Sequence, residues 1–239
     1  MFNENSLIAL ETGTLTLEGE FIHGANTTFL VQVQHQAEDF RAVYKPQQGE
    51  RPLWDFPENT LAHRETAAYL VSQALGWELV PPTVYRSDGP YGPGSVQHFI
   101  PHNPEYHYFN LSDEHFQRMP PVILFDMLIN NADRKGSHLV FDADDHLWLI
   151  DHGICFHVEE KLRTVIWDFA GEPVPPELLA DLQALNEKLR TRSALVAALE
   201  EHLAPEETAA LQTRAEILQT LEIFPHPPND RRAYPYPPL

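Results

Sequence analysis

Two aspartates stand out because each closes a short run that a phosphate-handling site would need. Asp133 lies in Asn130-Asn131-Ala132-Asp133-Arg134-Lys135-Gly136-Ser137-His138, and Asp151 in Leu147-Trp148-Leu149-Ile150-Asp151-His152-Gly153. Phosphoryl transfer calls for a carboxylate that orients or deprotonates the acceptor, oxygens that bind a metal ion, and cations that meet developing charge. Asp133, Arg134 and Lys135 supply a carboxylate and two cations in three successive residues. Asp151 follows four apolar residues, so its carboxylate is expected just beyond a buried strand. Taken alone, Asp133 reads equally well as a turn former and Asp151 as a capping residue. Their placement on either side of one expected hairpin favours a joint role.

That hairpin comes from HLVF (138–141) and LWLI (147–150) around the acidic turn DADD (142–145), and PPVILFDMLINN (120–131) before it reads as a helix opened by proline. Asp126 sits inside that apolar helix, where it is expected to brace the following loop through a buried hydrogen bond. Upstream, LTLEGEFI (15–22), TTFLVQVQ (27–34) and FRAVYKP (40–46) read as strands, with a turn at 23–26. A helical stripe over 59–77 has Asn59 or Thr60 as its cap and Gly76 as its stop. TVYRS (83–87) and GSVQHFIP (94–101) are two further strands. Downstream of Pro175 helical signals dominate as far as Ile223, with a break at Pro205, and a proline-rich segment follows.

The segment 130–153 resembles the catalytic stretch of phosphoinositide-kinase-like proteins, in which Asp-Arg-His-x-x-Asn precedes a hairpin ending in Asp-x-Gly; HipA-type serine kinases share that logic. The resemblance, to a short bacterial branch of the family, covers about residues 14–170. It implies an α+β, bilobal protein-kinase-like fold, with an antiparallel-sheet N-lobe carrying one helix and a mostly helical C-lobe. The expected division is 1–101, 102–224 and a proline-rich tail at 225–239. By the same resemblance Asp133 is the catalytic aspartate, Arg134 and Lys135 accompany it, and Asp151 is the metal ligand. Lys45 takes the place of the lysine that contacts the α/β-phosphates, and Glu65 that of its ion-pair partner. The turn His23–Thr27, with Asn26 and Thr27, takes the place of a phosphate-covering loop. Gln97, His98, Phe99 and Ile100 fall where a hinge strand would receive adenine, an assignment resting on order alone. ATP and Mg²⁺ or Mn²⁺ are the implied cofactors.

This chain departs from the pattern at two positions. Lys135 replaces the histidine, and His138 replaces the metal-binding asparagine. Imidazole is a softer ligand than an amide oxygen and suits transition metals better than Mg²⁺. Either the site prefers Mn²⁺-like ions, or His138 binds no metal and one ion is lost. Three functions follow: an active phosphotransferase, a nucleotide-binding pseudokinase with a regulatory role, or a metal-dependent hydrolase built on the His/Asp content. Adenylyl transfer, with the nucleotide reversed, also fits these residues.

Composition narrows the partners. A formal charge of -19 repels nucleic acid and anionic membranes, which leaves a protein or small-molecule hydroxyl as acceptor. A single cysteine, Cys155, excludes an internal disulfide. With no apolar run long enough for a membrane span and no basic leader at the N-terminus, a cytoplasmic location is expected. His98, His102, His107 and His115 match no zinc spacing, and Asp142, Asp144 and Asp145 read as a solvated turn.

Overall fold

A computed structural model describes residues 4–239 apart from His23, Ala25 and Arg192. The first half is an antiparallel sheet of five strands, β1 (Thr14–Glu20), β2 (Phe29–His35), β3 (Glu38–Pro46), β4 (Thr83–Gly89) and β5 (Gly92–His98), in the order β1-β2-β3-β5-β4. Helix α2 (Leu61–Leu75) runs between β3 and β4, as the periodicity predicts.

Strand alternation decides which residues face the site. In β2 and β3, Val31, Val33, Ala42 and Tyr44 point into one apolar layer with Val84 and Val96. Lys45 is therefore turned to the opposite face, paired in register with Ser95 of β5. The strands approach closely there: a Cβ on Gly94 would lie 2.4 Å from the Lys45 carbonyl oxygen, so glycine alone fits.

The first half holds a second helix that the sequence reading does not include. Helix α1 (Glu4–Thr12) lays Ala9 and Leu10, both fully buried, on the Tyr44 layer. Its last carbonyls are met by Arg86, whose Nη1 donates to Leu10 O at 3.3 Å and Gly13 O at 2.6 Å. Nine residues are too few to be a stable helix alone, and the sheet supplies the missing stabilisation.

At the start of α2, Thr60 occupies the cap position without making a side-chain capping bond. Glu50 does that work from further back in the β3–α2 connection, accepting from the backbone N–H of Leu61 at 3.2 Å and of Ala62 at 2.9 Å. A carboxylate at a helix N-terminus satisfies orphan donors and meets the positive end of the dipole. Glu50→Ala is expected to cost about 1 kcal/mol, read as a fall in thermal midpoint. Gly76 ends the helix in the left-handed region, at φ 74.

The second half holds the larger core. Short helix α3 (Asp113–Phe116) leads into α4 (Pro120–Ile129), followed by the hairpin β6 (Leu139–Phe141) and β7 (Leu147–Leu149) and then α5 (Pro176–Arg190), α6 (Ala194–Glu200) and α7 (Pro205–Leu218). Leu124, Phe125, Leu128 and Ile129 of α4 are fully buried with Leu182 and Leu185 of α5 and Leu211 of α7. Burying each such side chain contributes roughly 1.5–3 kcal/mol. Ala67, Ala68 and Val71 of α2 join the same core, so α2 is fixed to the helical half while its other flank touches β4 and β5.

The 142–145 turn is organised rather than merely solvated. Asp142 Oδ1 accepts from Asp144 N and His146 N, both at 2.9 Å, and its Oδ2 accepts from Trp148 Nε1 at 2.8 Å. Asp145 pairs with His115 and Arg118. The tail beyond Pro225 is also docked: Ala233 is buried against Leu162 and Trp167.

Candidate active site

Helix α4 ends at Asn130, whose φ of 53 turns the chain sharply. Asn131 then accepts from the backbone N–H of Asp133 at 2.9 Å through Oδ1 and donates to Asp126 Oδ1 at 3.0 Å through Nδ2. One amide thus ties the loop's aspartate to the helix before it. Asp133 keeps its carboxyl at the surface, 29 % exposed, with Lys135 Nζ 3.4 Å from Oδ2. Burial raises its pKa, helped by the charge of Asp151 and opposed by Lys135 and Arg163. A carboxyl displaced upward is better matched to accepting a proton near neutrality.

Arg134, expected among the cations facing substrate, points the other way. It is fully buried, its Nε and Nη2 hold Asp126 at 2.9–3.0 Å, and Nη1 reaches Ile150 O at 3.1 Å. In this arrangement Arg134 braces the loop and presents no charge to a bound phosphate. Burial pushes Asp126 upward, against the pull of Arg134 and Asn131. Lys135 and Arg163 remain as the cations beside Asp133. Arg163 has no signal in the sequence; it arrives because its N–H donates to Asn131 O at 2.9 Å and its carbonyl accepts from Arg134 N at 3.0 Å.

Across the hairpin, Ile150 N donates to His138 O at 3.0 Å, which sets His138 opposite Asp151. Asp151 has φ 63, a left-handed conformation that costs a non-glycine residue on the order of 1–3 kcal/mol. The turn aims its half-exposed carboxylate at Lys45, whose Nζ lies 2.9 Å from Oδ1. Lys45 also bonds Glu65 Oε1, and Glu65 Oε2 accepts from His152 N at 2.9 Å. The Lys45 ammonium, foremost, holds Asp151 far below the usual carboxylate range. Burial opposes the charge on Lys45, but Asp151 and Glu65 more than offset it and raise its pKa.

His138 Nε2 is 3.4 Å from Asp151 Oδ2, while its Nδ1 is 3.4 Å from Lys135 N. Since Lys135 N can only donate, Nδ1 accepts, which assigns the Nε2–H tautomer facing Asp151. Burial lowers its pKa to about 3, Asp151 opposing, so the ring is neutral. As an Nε2–H it turns a proton toward Asp151 at 3.4 Å, and metal ligation through Nε2 would require the other tautomer.

His152 joins the two sets of residues. It is fully buried, its Nε2 accepts from Arg134 Nη2 at 2.9 Å, and its Nδ1 faces Glu65 Oε2 at 3.9 Å. A continuous run of polar groups, Lys45, Glu65, His152, Arg134, Asp126, Asn131, connects the sheet lysine to the backbone of Asp133. His152 was invisible to motif reading, because its link depends on contacts between four segments.

The remaining expected nucleotide contacts are placed less directly. The N–H of Thr27 donates to Gly49 O at 3.1 Å and Asn26 Oδ1 accepts from Arg51 N at 2.8 Å, so both are engaged with the 47–51 segment. His23 and Ala25 of the same turn lie outside the described residues. Gln97 is buried and donates to Thr83 Oγ1 at 2.8 Å. His98 N and Phe99 N donate to Pro82 O and Arg41 O. The Ile100 carbonyl is 2.7 Å from His102 Nδ1. Backbone donors at 98 and 99 are thus committed to the protein itself. Among the described residues, no three His, Cys, Asp or Glu side chains are grouped to hold a metal ion.

A five-stranded antiparallel sheet, a helix that pairs its glutamate with a strand lysine, and an aspartate on each side of a hairpin define a protein-kinase-like fold. Solved structures share it. The chain aligns with a Golgi casein kinase at TM-score 0.51 and 17% identity, covering 90% of this chain and 74% of that one. It aligns with a Helicobacter pylori proinflammatory kinase, CtkA, at TM-score 0.54 and 11% identity, covering 90% and 94%. Residues 58–224, more than half of the chain, match the family model for phosphatidylinositol 3- and 4-kinase, and the chain belongs to that family. A Mycobacterium tuberculosis (strain ATCC 25618 / H37Rv) relative, Protein Rv2133c, is 38% identical over 263 aligned positions, covering 95% of this chain and 93% of that protein. Membership suggests a phosphotransferase and implies ATP with a divalent metal. Among the described residues no helix is long and apolar enough to cross a membrane.

Proposed function

We propose that this chain is an ATP-dependent phosphotransferase that phosphorylates a hydroxyl on a protein or small molecule. The observation that carries the reading is the Lys45 ammonium held between Glu65 and Asp151. It joins the sheet to the segment after the hairpin, where a triphosphate would lie between the two.

In this reading Lys45 meets the α/β-phosphate charge, and Glu65 keeps the lysine extended. Asp151 fits a divalent ion: its carboxylate is half exposed and ionised, and hard cations of this kind are often held by one or two carboxylates plus substrate phosphates. The ion would supply charge neutralisation on the transferring group. His138, as the Nε2–H tautomer, presents a proton rather than a lone pair on the Asp151 side, which favours one protein-held ion and Mg²⁺ as readily as Mn²⁺. Asp133 accepts the proton of the acceptor hydroxyl as its oxygen bonds the γ-phosphorus. The bond from that phosphorus to the β-bridging oxygen breaks, and ADP leaves with the electron pair. Lys135 and Arg163 meet charge on the transferring group. The net charge of -19 favours a soluble acceptor over an anionic membrane.

The test is ATP binding and turnover with Mg²⁺ and with Mn²⁺, in the parent chain and in Lys45→Met. Losing the charged hydrogen bonds of Lys45 is expected to weaken ATP binding by roughly 10- to 100-fold, from about 1.5–3 kcal/mol. Equal affinity in both proteins would sink this assignment. Binding without turnover under either metal would favour the regulatory pseudokinase, for which the neutral, hydrogen-bonded His138 is the specific observation.

A further inference from the structure

The tail from Arg231 to Leu239 lies along the outer rim of the Asp133 loop. Arg231 anchors its start through Leu162 O at 2.8 Å and Glu160 at 3.0 Å, and beyond it the contacts are made by backbone carbonyls. Ala233 O accepts from Thr164 N at 3.1 Å and from Trp167 Nε1 at 3.2 Å. Five residues on, Pro238 O accepts from Gly136 N at 2.8 Å. Three donors of the body thus recognise two carbonyls of a proline-rich segment that bends at Tyr234 and again at Tyr236 and Pro237. Thr164 is itself bridged to Arg134, and Gly136 is three residues from Asp133, so the donors frame the loop that carries the aspartate. Pro235, Pro237 and Pro238 have no N–H, so at those positions docking strands no backbone donor. Tyr234 and Tyr236 point outward, at 49% and 79% exposure. Ala233 and Pro235 are the buried apolar residues of the segment, and the half-exposed Leu239 lies beside Gly136.

We propose that Gly136, Thr164 and Trp167 form a docking face for a proline-containing peptide, and that the tail holds this face in cis until a peptide acceptor displaces it. The proposal rests on the phosphotransferase reading for the identity of the acceptor, but the docking itself requires no nucleotide. Proline-rich segments suit such a face because each proline ring fixes its own φ in the free chain, which lowers the ordering cost.

The probe is a fluorescently labelled peptide of residues 230–239, followed by anisotropy in the absence of nucleotide. Two full-length variants loosen the tail, Leu239→Asp and Ala233→Glu/Leu239→Asp. The peptide is expected to bind each at least tenfold more tightly than the parent, whose face is covered. Leu239→Asp changes one exposed position, so it stays informative if the double variant does not fold. Binding no tighter to either folded variant than to the parent overturns the proposal. Peptide binding in a protein that binds no ATP would sink the phosphotransferase reading while leaving the docking face standing.

Discussion

Asp133→Asn is expected to lower the phosphotransfer rate by about 10²- to 10⁴-fold, the usual contribution of a positioned general base, with ATP affinity nearly unchanged. The amide has the size of the carboxylate and leaves intact the backbone bond from Asp133 N to Asn131 Oδ1 that shapes the loop. What it cannot do is take a proton. Lys45, Glu65 and Asp151, the residues proposed to meet the triphosphate, are untouched. The rate should also respond to pH in a defined sense. Burial and the charge of Asp151 raise the Asp133 pKa, so the parent gains activity as pH rises through that raised value and the base form appears. In the variant this acid limb disappears. Single-turnover transfer, read beside ATP binding across pH, separates the two effects. A rate within about tenfold of the parent would remove Asp133 from the role of base.

The second large effect is on stability. Arg134→Ala is expected to lower the unfolding free energy by about 3–5 kcal/mol, because it leaves the fully buried Asp126 carboxylate without its partner. The same deletion removes donors to Ile150 O and His152 Nε2. In this variant the deficit should shrink at acid pH. Without the guanidinium, burial holds the folded-state pKa of Asp126 above its unfolded value, so the folded form keeps a proton that the unfolded form releases as pH rises. Urea unfolding at two pH values measures both features. Asp126→Leu/Arg134→Met, which replaces the pair by apolar groups, should recover the part of the loss due to the unpaired carboxylate, while Ile150 O, His152 Nε2 and Asn131 Nδ2 stay without their partners. If Arg134→Ala unfolds within about 1 kcal/mol of the parent, the pair is not what anchors the loop.

These two outcomes divide Asp133 from Arg134, neighbours in the sequence with opposite orientations. Read as a motif, both sit in a run of charged residues beside a hairpin, and nothing in the run says which side chain faces inward. Asp126, in the last turn of an apolar helix, is readable as a buried brace because a carboxylate at such a position must find a donor. Which donor it finds is not written locally.

The chain's own order of residues was sufficient for the antiparallel first half, α2 with its stop at Gly76, the hairpin between Asp133 and Asp151, and the helical second half. Each follows from periodicity, proline and glycine, which act within a few residues. Helix α1 escaped because nine residues carry little periodic signal and their stability comes from Arg86 and the sheet. The cap on α2 escaped because Glu50 folds back onto it from well outside the usual cap spacing, through the β3–α2 connection. Long-range packing alone could bring Lys45, Glu65 and Asp151 together, supply Arg163 beside Asp133, turn Arg134 inward, and lay the tail across Gly136. Local propensity sets which elements form. The positions of charges in a site depend on which faces are buried, and burial is a property of the assembled chain.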